Sequence, residues 1–452
     1  MDEHPKDRET FKFSEVLSAL SFVLDRVEGQ PEGHVVRSCF IGMTVGERLG
    51  LTEEQRSALF YALLLKDAGC SSTSSGVAAL FDADDFEVKK TLKTTDRSRL
   101  PESLLYVART VSPGRALLTR ARRFLAVGIE GRRTNRRLVR IRCERGAEIA
   151  RLIGFPEGTV RAIRSLDEHW DGTGHPDGLR GEEIPLLSRI CKLAQTVDFF
   201  YNAFGPVHAE EEVRAHRKEW FDPALVDVFL AEIRAGSIWK SLADPDLLHA
   251  VSRLEPADRV LAATPERLDL TARAFARIID AKSPFTYRHS ERVADTAVVM
   301  TEYMEFPTSV VRDQRRAGLL HDIGKLGVSN RILDKPGSLT DAEYAQIKKH
   351  TKLTYDTLVR VTPFRGIADV AASHHEKLDG TGYHRGITGD SLSLYCRILT
   401  VADIFDALSQ DRPYRPAMPL EQVLDILKKE SGEKLCIRCV DALDDLVSKG
   451  DL

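Results

Sequence analysis

At 452 residues, 42% hydrophobic and 29% charged, the chain has the composition of a folded globular protein long enough for two ordinary domains. A formal net charge of −3 gives no general attraction to nucleic acid or to an anionic membrane, so a site for a polyanion has to be local. No apolar run approaches the roughly 18 residues of a spanning helix, and seven cysteines without framework spacing fit free thiols in a reducing cytosol.

In chain order, Met1 to Phe11 is charged and lacks an apolar core, so it does not read as a signal peptide, and a cytoplasmic protein is expected. An apolar helical run from Ala19 to Asp25 leads to His34-Val35-Val36-Arg37, and Leu63-Leu64-Leu65-Lys66-Asp67-Ala68-Gly69-Cys70 follows. Between Arg115 and Arg145 stand 11 Arg against two acids, Glu130 and Glu144, with Gly128, Gly131 and Asn135 expected to divide the stretch into short helices. So many guanidinium forks suit phosphate or a protein partner, although a solvated face balancing acids elsewhere is the simpler explanation. Residues 236–264, with Gly236, Pro245 and Pro256 between short helical patterns, read as a structured helical connector and not as a flexible tether.

Residues 265–452 concentrate the chemistry. A 3.6-residue period from Leu268 to Ile279 precedes His289, and the run Ala317-Gly318-Leu319-Leu320 delivers His321-Asp322-Ile323-Gly324-Lys325, with Gly324 expected to break the helix. His350 stands at the close of the helical pattern Asp341 to Lys349, His374 and His375 precede Glu376, and Asp403 lies on the apolar helix around Ile398 to Ala402. Five of the 13 His of the chain fall in this set; a buried imidazole needs a polar partner, so five among apolar helices call for something that pairs them. Five His and two Asp form a donor set for two transition metals, with iron, manganese and zinc all suited. Lys325 lies beyond the ligands, where negative charge grows as a phosphate is attacked. Asp411 to Pro416 form a loop beside the site, and helical patterns at Leu420 to Lys429 and Arg438 to Lys449 close the bundle. Cys436 and Cys439 form a C-x-x-C without a second pair, which reads as core thiols.

Taken together, His289, the His321 to Lys325 run, His350, His374-His375-Glu376, Leu378-Asp379-Gly380-Thr381-Gly382-Tyr383 and Asp403 resemble, in order and spacing, the HD-GYP family of bacterial cyclic-dinucleotide phosphodiesterases. The resemblance implies an all-α helical bundle, a pair of divalent metals with iron favoured and manganese the alternative, and hydrolysis of cyclic di-GMP to linear pGpG or GMP. It implies that His289, His321 and Asp322 hold one metal and His350, His374 and His375 the other, with Asp322 as the bridge and Asp403 completing the shell. Lys325 would stabilise the transition state, and Gly382, Tyr383, Arg412 and Arg415 would meet the substrate. Two residues depart from the family pattern. Phe285 stands where some members carry a Glu for a third metal, which leaves a dinuclear site, and His384 replaces the Pro of the naming motif, which bears on substrate preference. The rival readings are a cyclic-dinucleotide receptor without turnover, against which the complete ligand set and Lys325 argue, and a hydrolase of another nucleotide such as a hybrid cyclic dinucleotide. A homodimer is left open, and neither a membrane nor a nucleic acid polymer is expected as a partner.

The first half echoes the second. Ala19 to Arg37 matches Ala274 to Arg292 at an offset of 255, and Leu63 to Cys70 keeps that offset. Glu168 to His175 matches Glu376 to Tyr383 at an offset of 208, so the first copy carries 47 additional residues between these segments. His34 and Asp67 keep the ligand types, but Lys66 stands for His321, Arg142 for His350, Leu166 for His374, Asp167 for His375 and Gln195 for Asp403. Two cations where metals belong predict that residues 1–235 are a degenerate, metal-free bundle, used for packing or regulation and joined by the connector to the catalytic one.

Overall fold

The computed structural model describes residues 12–452 apart from 94, 96–99, 237, 257–260 and 412–414. Residues 1–11, on which the expectation about a leader rests, and Arg412 therefore lie outside the described residues. The described residues are all helix and loop apart from isolated bridges. The β pairings among the described residues are isolated bridges such as Lys12 with Ala262, and no helix there is long and apolar enough to cross a membrane. Helix starts follow local chemistry. Thr52 and Thr340 close capping boxes with Gln55 and Glu343, and Thr264 caps a helix that begins at Pro265, which satisfies first-turn N–H groups that have no partner within the helix.

The sequence repeat is also a repeat in space. Helices Phe13–Val27, His34–Arg48, Glu53–Leu65 and Leu186–Phe204 correspond to Pro265–Asp280, His289–Tyr303, Thr308–Leu320 and Leu394–Ser409. The two copies exchange their first helices as packing partners. Phe13–Val27 lies on the segments Ile323–Gly327 and Asp341–Leu358 of the second copy, while Pro265–Asp280 lies on Cys70–Thr73 and Leu117–Ile153 of the first. A helix enclosed from both sides has to be apolar around most of its circumference, and Phe13–Val27 is buried at Phe13, Val16, Leu17, Leu20, Val23, Leu24 and Val27 alike. One apolar core consequently runs from Phe13 to Leu446 through both halves. The connector is docked as well: helices Ile238–Leu242 and Leu247–Ser252 pack on His34–Arg48, and buried Glu255 accepts hydrogen bonds from Ser14 Oγ at 2.7 Å and from Tyr61.

Three local expectations are corrected. Residues Leu117–Ile153 form one 37-residue helix in place of several short ones, because the Arg, Ala and Leu around Gly128 and Gly131 favour helix strongly enough to carry a cost of about 1 kcal/mol per glycine. His350 lies inside the helix Asp341–Leu358 and does not end it. The helix before the His321-Asp322 pair stops at Leu320, ahead of Gly324, and continues as a 3-10 turn, Ile323–Gly327. Gly324 is there for a close approach: a Cβ would lie 1.9 Å from the His350 carbonyl oxygen, and its counterpart Gly69 would meet the Arg142 carbonyl oxygen at the same 1.9 Å. Gly324 N also donates to Thr354 Oγ1 at 3.1 Å, and that hydroxyl donates to the His321 carbonyl at 2.8 Å. Gly324→Ala and Gly69→Ala should each lower stability by about 1–3 kcal/mol through overpacking against backbone, read as a fall in urea midpoint; an unchanged midpoint in both would refute this account of the crossing.

Candidate metal centre

Five segments converge on one carboxylate. His289 opens the helix His289–Tyr303, His321 caps Thr308–Leu320, His350 sits within Asp341–Leu358, His374 and His375 form a turn after Ala368–Ala372, and Asp403 lies on Leu394–Ser409. Asp322 Oδ2 is 3.5 Å from His289 Nε2 and 3.3 Å from His321 Nε2, while its Oδ1 is 3.4 Å from His350 Nε2 and 3.6 Å from His374 Nε2. Asp403 reaches to both sides too, Oδ1 at 3.3 Å from His289 Nε2 and Oδ2 at 3.8 Å from His375 Nδ1. The donor atoms of His289, His321 and Asp322 lie within 4.8 Å of one another, as do those of His350, His374 and His375.

The ring orientations are fixed from behind. Nδ1 of His321, His350 and His374 each donates at 2.7 Å to the carbonyl three residues earlier, of Gly318, Ile347 and Ala371. That bond selects the tautomer whose Nε2 lone pair points into the cluster. His289 Nδ1 is held at 2.6 Å by Asp406, which Arg292 grips in turn through Nε at 2.5 Å and a second nitrogen at 3.1 Å. Burial presses His350 to about 3 and His375 to about 4 and holds His374 well below its ordinary value, so these imidazoles are neutral donors, as metal ligation requires. Burial opposes charge on His289 as well, but the hydrogen bonds that its ring nitrogens donate to Asp322, Asp403 and Asp406 outweigh it and push that group up to about 10. Burial likewise works against ionised Asp322 and Asp403, yet Lys325 and His321 hold the first, and His289 and His375 the second, well below the usual carboxylate range. His321 Nε2 and Asp322 Oδ1 are buried without a hydrogen-bond partner among the described residues. Orphaned donor atoms aimed at shared space, beside the neutral imidazoles of His350, His374 and His375 and the ionised carboxylates of Asp322 and Asp403, fit two divalent metals.

Around this cluster, Lys325 Nζ lies 2.5 Å from Asp322 Oδ2. The Tyr383 ring stands 4.8 Å from that of His375, and Tyr344 and Lys348 border it, with the Lys348 ammonium 4.6 Å above the Tyr344 ring and 5.6 Å above Tyr383. Gly382 is required by the loop itself, since a Cβ there would meet Glu376 Cα at 2.4 Å. Arg415 departs from its expected role. Its guanidinium donates to the carbonyls of Ala407, Leu408 and Pro416 at 2.6–3.1 Å, which caps the end of Leu394–Ser409 and leaves few donors for a substrate. Sequence reading missed Asp406 and Arg292 as supports, although one signal was present: His34, Arg37 and Asp198 repeat the trio at the same offsets, with His34 Nδ1 2.6 Å and Arg37 Nε 2.7 Å from Asp198. It also missed the role of Glu376, whose buried carboxylate accepts the N–H groups of Arg385 and Ile387 at 2.8 and 3.1 Å and so ties the Gly382-Tyr383 loop down.

In the first copy, side-chain cations fill the equivalent space. Lys66 Nζ is 2.8 Å from His34 Nε2 and paired with Asp67, and Arg142 is paired with Asp167. Glu28, Asp67 and Cys70 lie close enough to suggest a third ligand group. However, Glu28 is paired with Lys93 and has Lys89 at 3.6 Å, and burial pushes the Cys70 thiol up, so the thiolate a metal needs is disfavoured.

The family description HD domain matches the chain twice, over residues 132–225 and 273–435. Over 434 residues, covering 96% of this chain and 94% of the relative, the chain is 41% identical to 3'3'-cGAMP-specific phosphodiesterase 3 of Vibrio cholerae serotype O1. It is 39% identical over 132 residues, 29% of this chain and 32% of the relative, to a cyclic di-GMP phosphodiesterase of Pseudomonas aeruginosa. A crystal structure of the cyclic GMP-AMP specific phosphodiesterase of V. cholerae is similar with a TM-score of 0.64 at 36% identity, covering 97% of this chain and 98% of that one. The supporting trio makes its own prediction. Asp406→Asn should weaken metal binding by about 10- to 100-fold in a titration of metal-free protein, while His34→Ala leaves the number of ions bound per chain unchanged; native affinity in Asp406→Asn would refute the supporting role.

Proposed function

As a member of the HD domain family, to which the chain belongs on the match over both halves and on its full-length relative, we propose that it is a metal-dependent phosphodiesterase of 3'3'-linked cyclic dinucleotides, with 3'3'-cGAMP preferred. The observation that carries the activity is the carboxylate of Asp322, whose two oxygens face separate imidazole clusters. On this reading His289, His321 and Asp322 would hold one metal and His350, His374 and His375 the other, with the carboxylates of Asp322 and Asp403 each turned to both groups. Iron is the first candidate and manganese the second. Bound there, the pair would supply positive charge against the phosphate oxygens and lower the pKa of water within the site.

The chain's own residues do the rest. Lys325, anchored on Asp322, presents an ammonium to the charge that grows on the phosphate as its ester bond breaks. Tyr383 and Tyr344 offer faces on which a purine stacks, and Lys348 a cation for the second phosphate. Preference for the hybrid dinucleotide over cyclic di-GMP is supported by the relative matched over nearly its whole length, a 3'3'-cGAMP-specific phosphodiesterase. We divide the chain at 1–235, 236–264 and 265–452, and read the first part as a metal-free copy because Lys66 and Arg142 already supply its positive charge. The Arg-rich helix Leu117–Ile153 is kept as a surface for a protein partner.

The deciding experiment incubates metal-loaded protein with 3'3'-cGAMP and with cyclic di-GMP and separates the linear products. Faster turnover of 3'3'-cGAMP is expected, and binding of both without product would make the protein a receptor instead. His321→Ala and Asp322→Ala should each abolish turnover and lower bound metal, whereas Lys325→Ala should retain metal and KM while kcat falls by on the order of 10²-fold. Normal turnover with full metal in either ligand variant would end the assignment.

A further inference from the structure

The additional residues of the first copy carry a buried acid that faces the other copy. Asp85, the first residue of helix Asp85–Lys93, is 0% exposed. Its Oδ1 accepts from Asn330 N at 2.8 Å and Ser329 Oγ at 3.1 Å, and its Oδ2 is 3.5 Å from Lys282 Nζ, itself buried and stacked at 4.7 Å over the Phe86 ring. Burial lowers Lys282 to about 8, and the Asp85 carboxylate that faces it from the first copy works against that shift.

The groups Asp85 holds are attached to the metal centre on both sides. Ser329 and Asn330 lie one residue past the 3-10 turn Ile323–Gly327 that carries Lys325, and the intervening Val328 donates its N–H to the Lys325 carbonyl at 3.0 Å. Lys282 begins the loop that enters His289. Asn330 Nδ2 ties the two segments by donating to the Lys282 carbonyl at 2.6 Å and to Asp334 at 2.7 Å, and Asp334 accepts from Ser283 Oγ at 2.5 Å. Both segments belong to the second copy, but their meeting point is completed by the first.

We propose that Asp85 is a positioning residue for the phosphodiesterase centre of the other copy: it locks the turn that bears Lys325 against the loop that leads into His289. This rests on the function proposed above, and the degenerate copy thereby becomes a working part of the active one. Displacing a catalytic ammonium by even 1 Å costs up to about 10²-fold in rate, whereas the substrate wall at Tyr344 and Tyr383 is untouched.

The test uses the full, metal-loaded chain and 3'3'-cGAMP. Asp85→Ala should lower kcat by on the order of 10-fold or more at native metal content, with KM within about twofold. Asp85→Asn keeps the acceptor for Ser329 and Asn330 but loses the charge opposite Lys282, and should fall by about threefold. A second readout is independent of turnover: hydrogen exchange of the amides from Ile323 to Leu333 should accelerate in Asp85→Ala. If the native protein fails to cleave the dinucleotide, the functional reading falls and exchange alone decides the role of Asp85. If Asp85→Ala does not fold, Asp85→Asn decides it. Native kcat and native exchange in the folded variants would overturn the proposal.

Discussion

The constraint on which the rest depends is a single carboxylate shared between two sets of imidazoles. For Asp322 to face His289 and His321 with one oxygen and His350 and His374 with the other, four helical segments and a turn must meet within a few ångströms. Helices with ordinary side chains at their crossing stay about 8–10 Å apart. The close approach is met by removing a side chain at Gly324, where the Asp322 turn touches the backbone of the helix bearing His350. Buried donors without a metal would be a liability in an apolar core. Their tight support by Gly318, Ile347, Ala371 and Asp406 shows that they are pre-organised and not merely tolerated.

Much of this was legible from residues alone. The ligand types and their order survive in one dimension because each ligand is tied to a local feature, such as the end of an apolar run or a histidine pair before an acid. The duplicated architecture was legible too, since conserved offsets survive wherever insertions fall between elements. What could not be read was reach. The guanidinium of Arg415 is long enough to turn back on the end of its own neighbouring helix, and nothing in its spacing distinguishes that from pointing into a site. The continuity of Leu117–Ile153 depended on summed propensity, which two glycines do not overcome. Asp406 was hidden because a carboxylate that supports a histidine looks, in sequence, like any other acid on a helix.

In the first copy, tethered cations stand where the second copy gathers imidazoles and carboxylates. In such a site, positive charge holds buried carboxylates and imidazoles together. Lys66 and Arg142 bring that charge on covalent tethers, against Asp67, His34 and Asp167. The substitutions are mutually dependent: either cation without its acid, or either acid without its cation, would leave an uncompensated buried charge, a penalty of about 3–5 kcal/mol.

The exchange of first helices between the copies bears on how the protein is made. Phe13–Val27 is synthesised long before the segments that cover its second face, Ile323–Gly327 and Asp341–Leu358. Until then the apolar side chains that this second face buries stand uncovered, an arrangement of high contact order that slows closure and invites association with other chains. A chain cut short anywhere before Ile323 would leave its first helix without the partner that covers its second face.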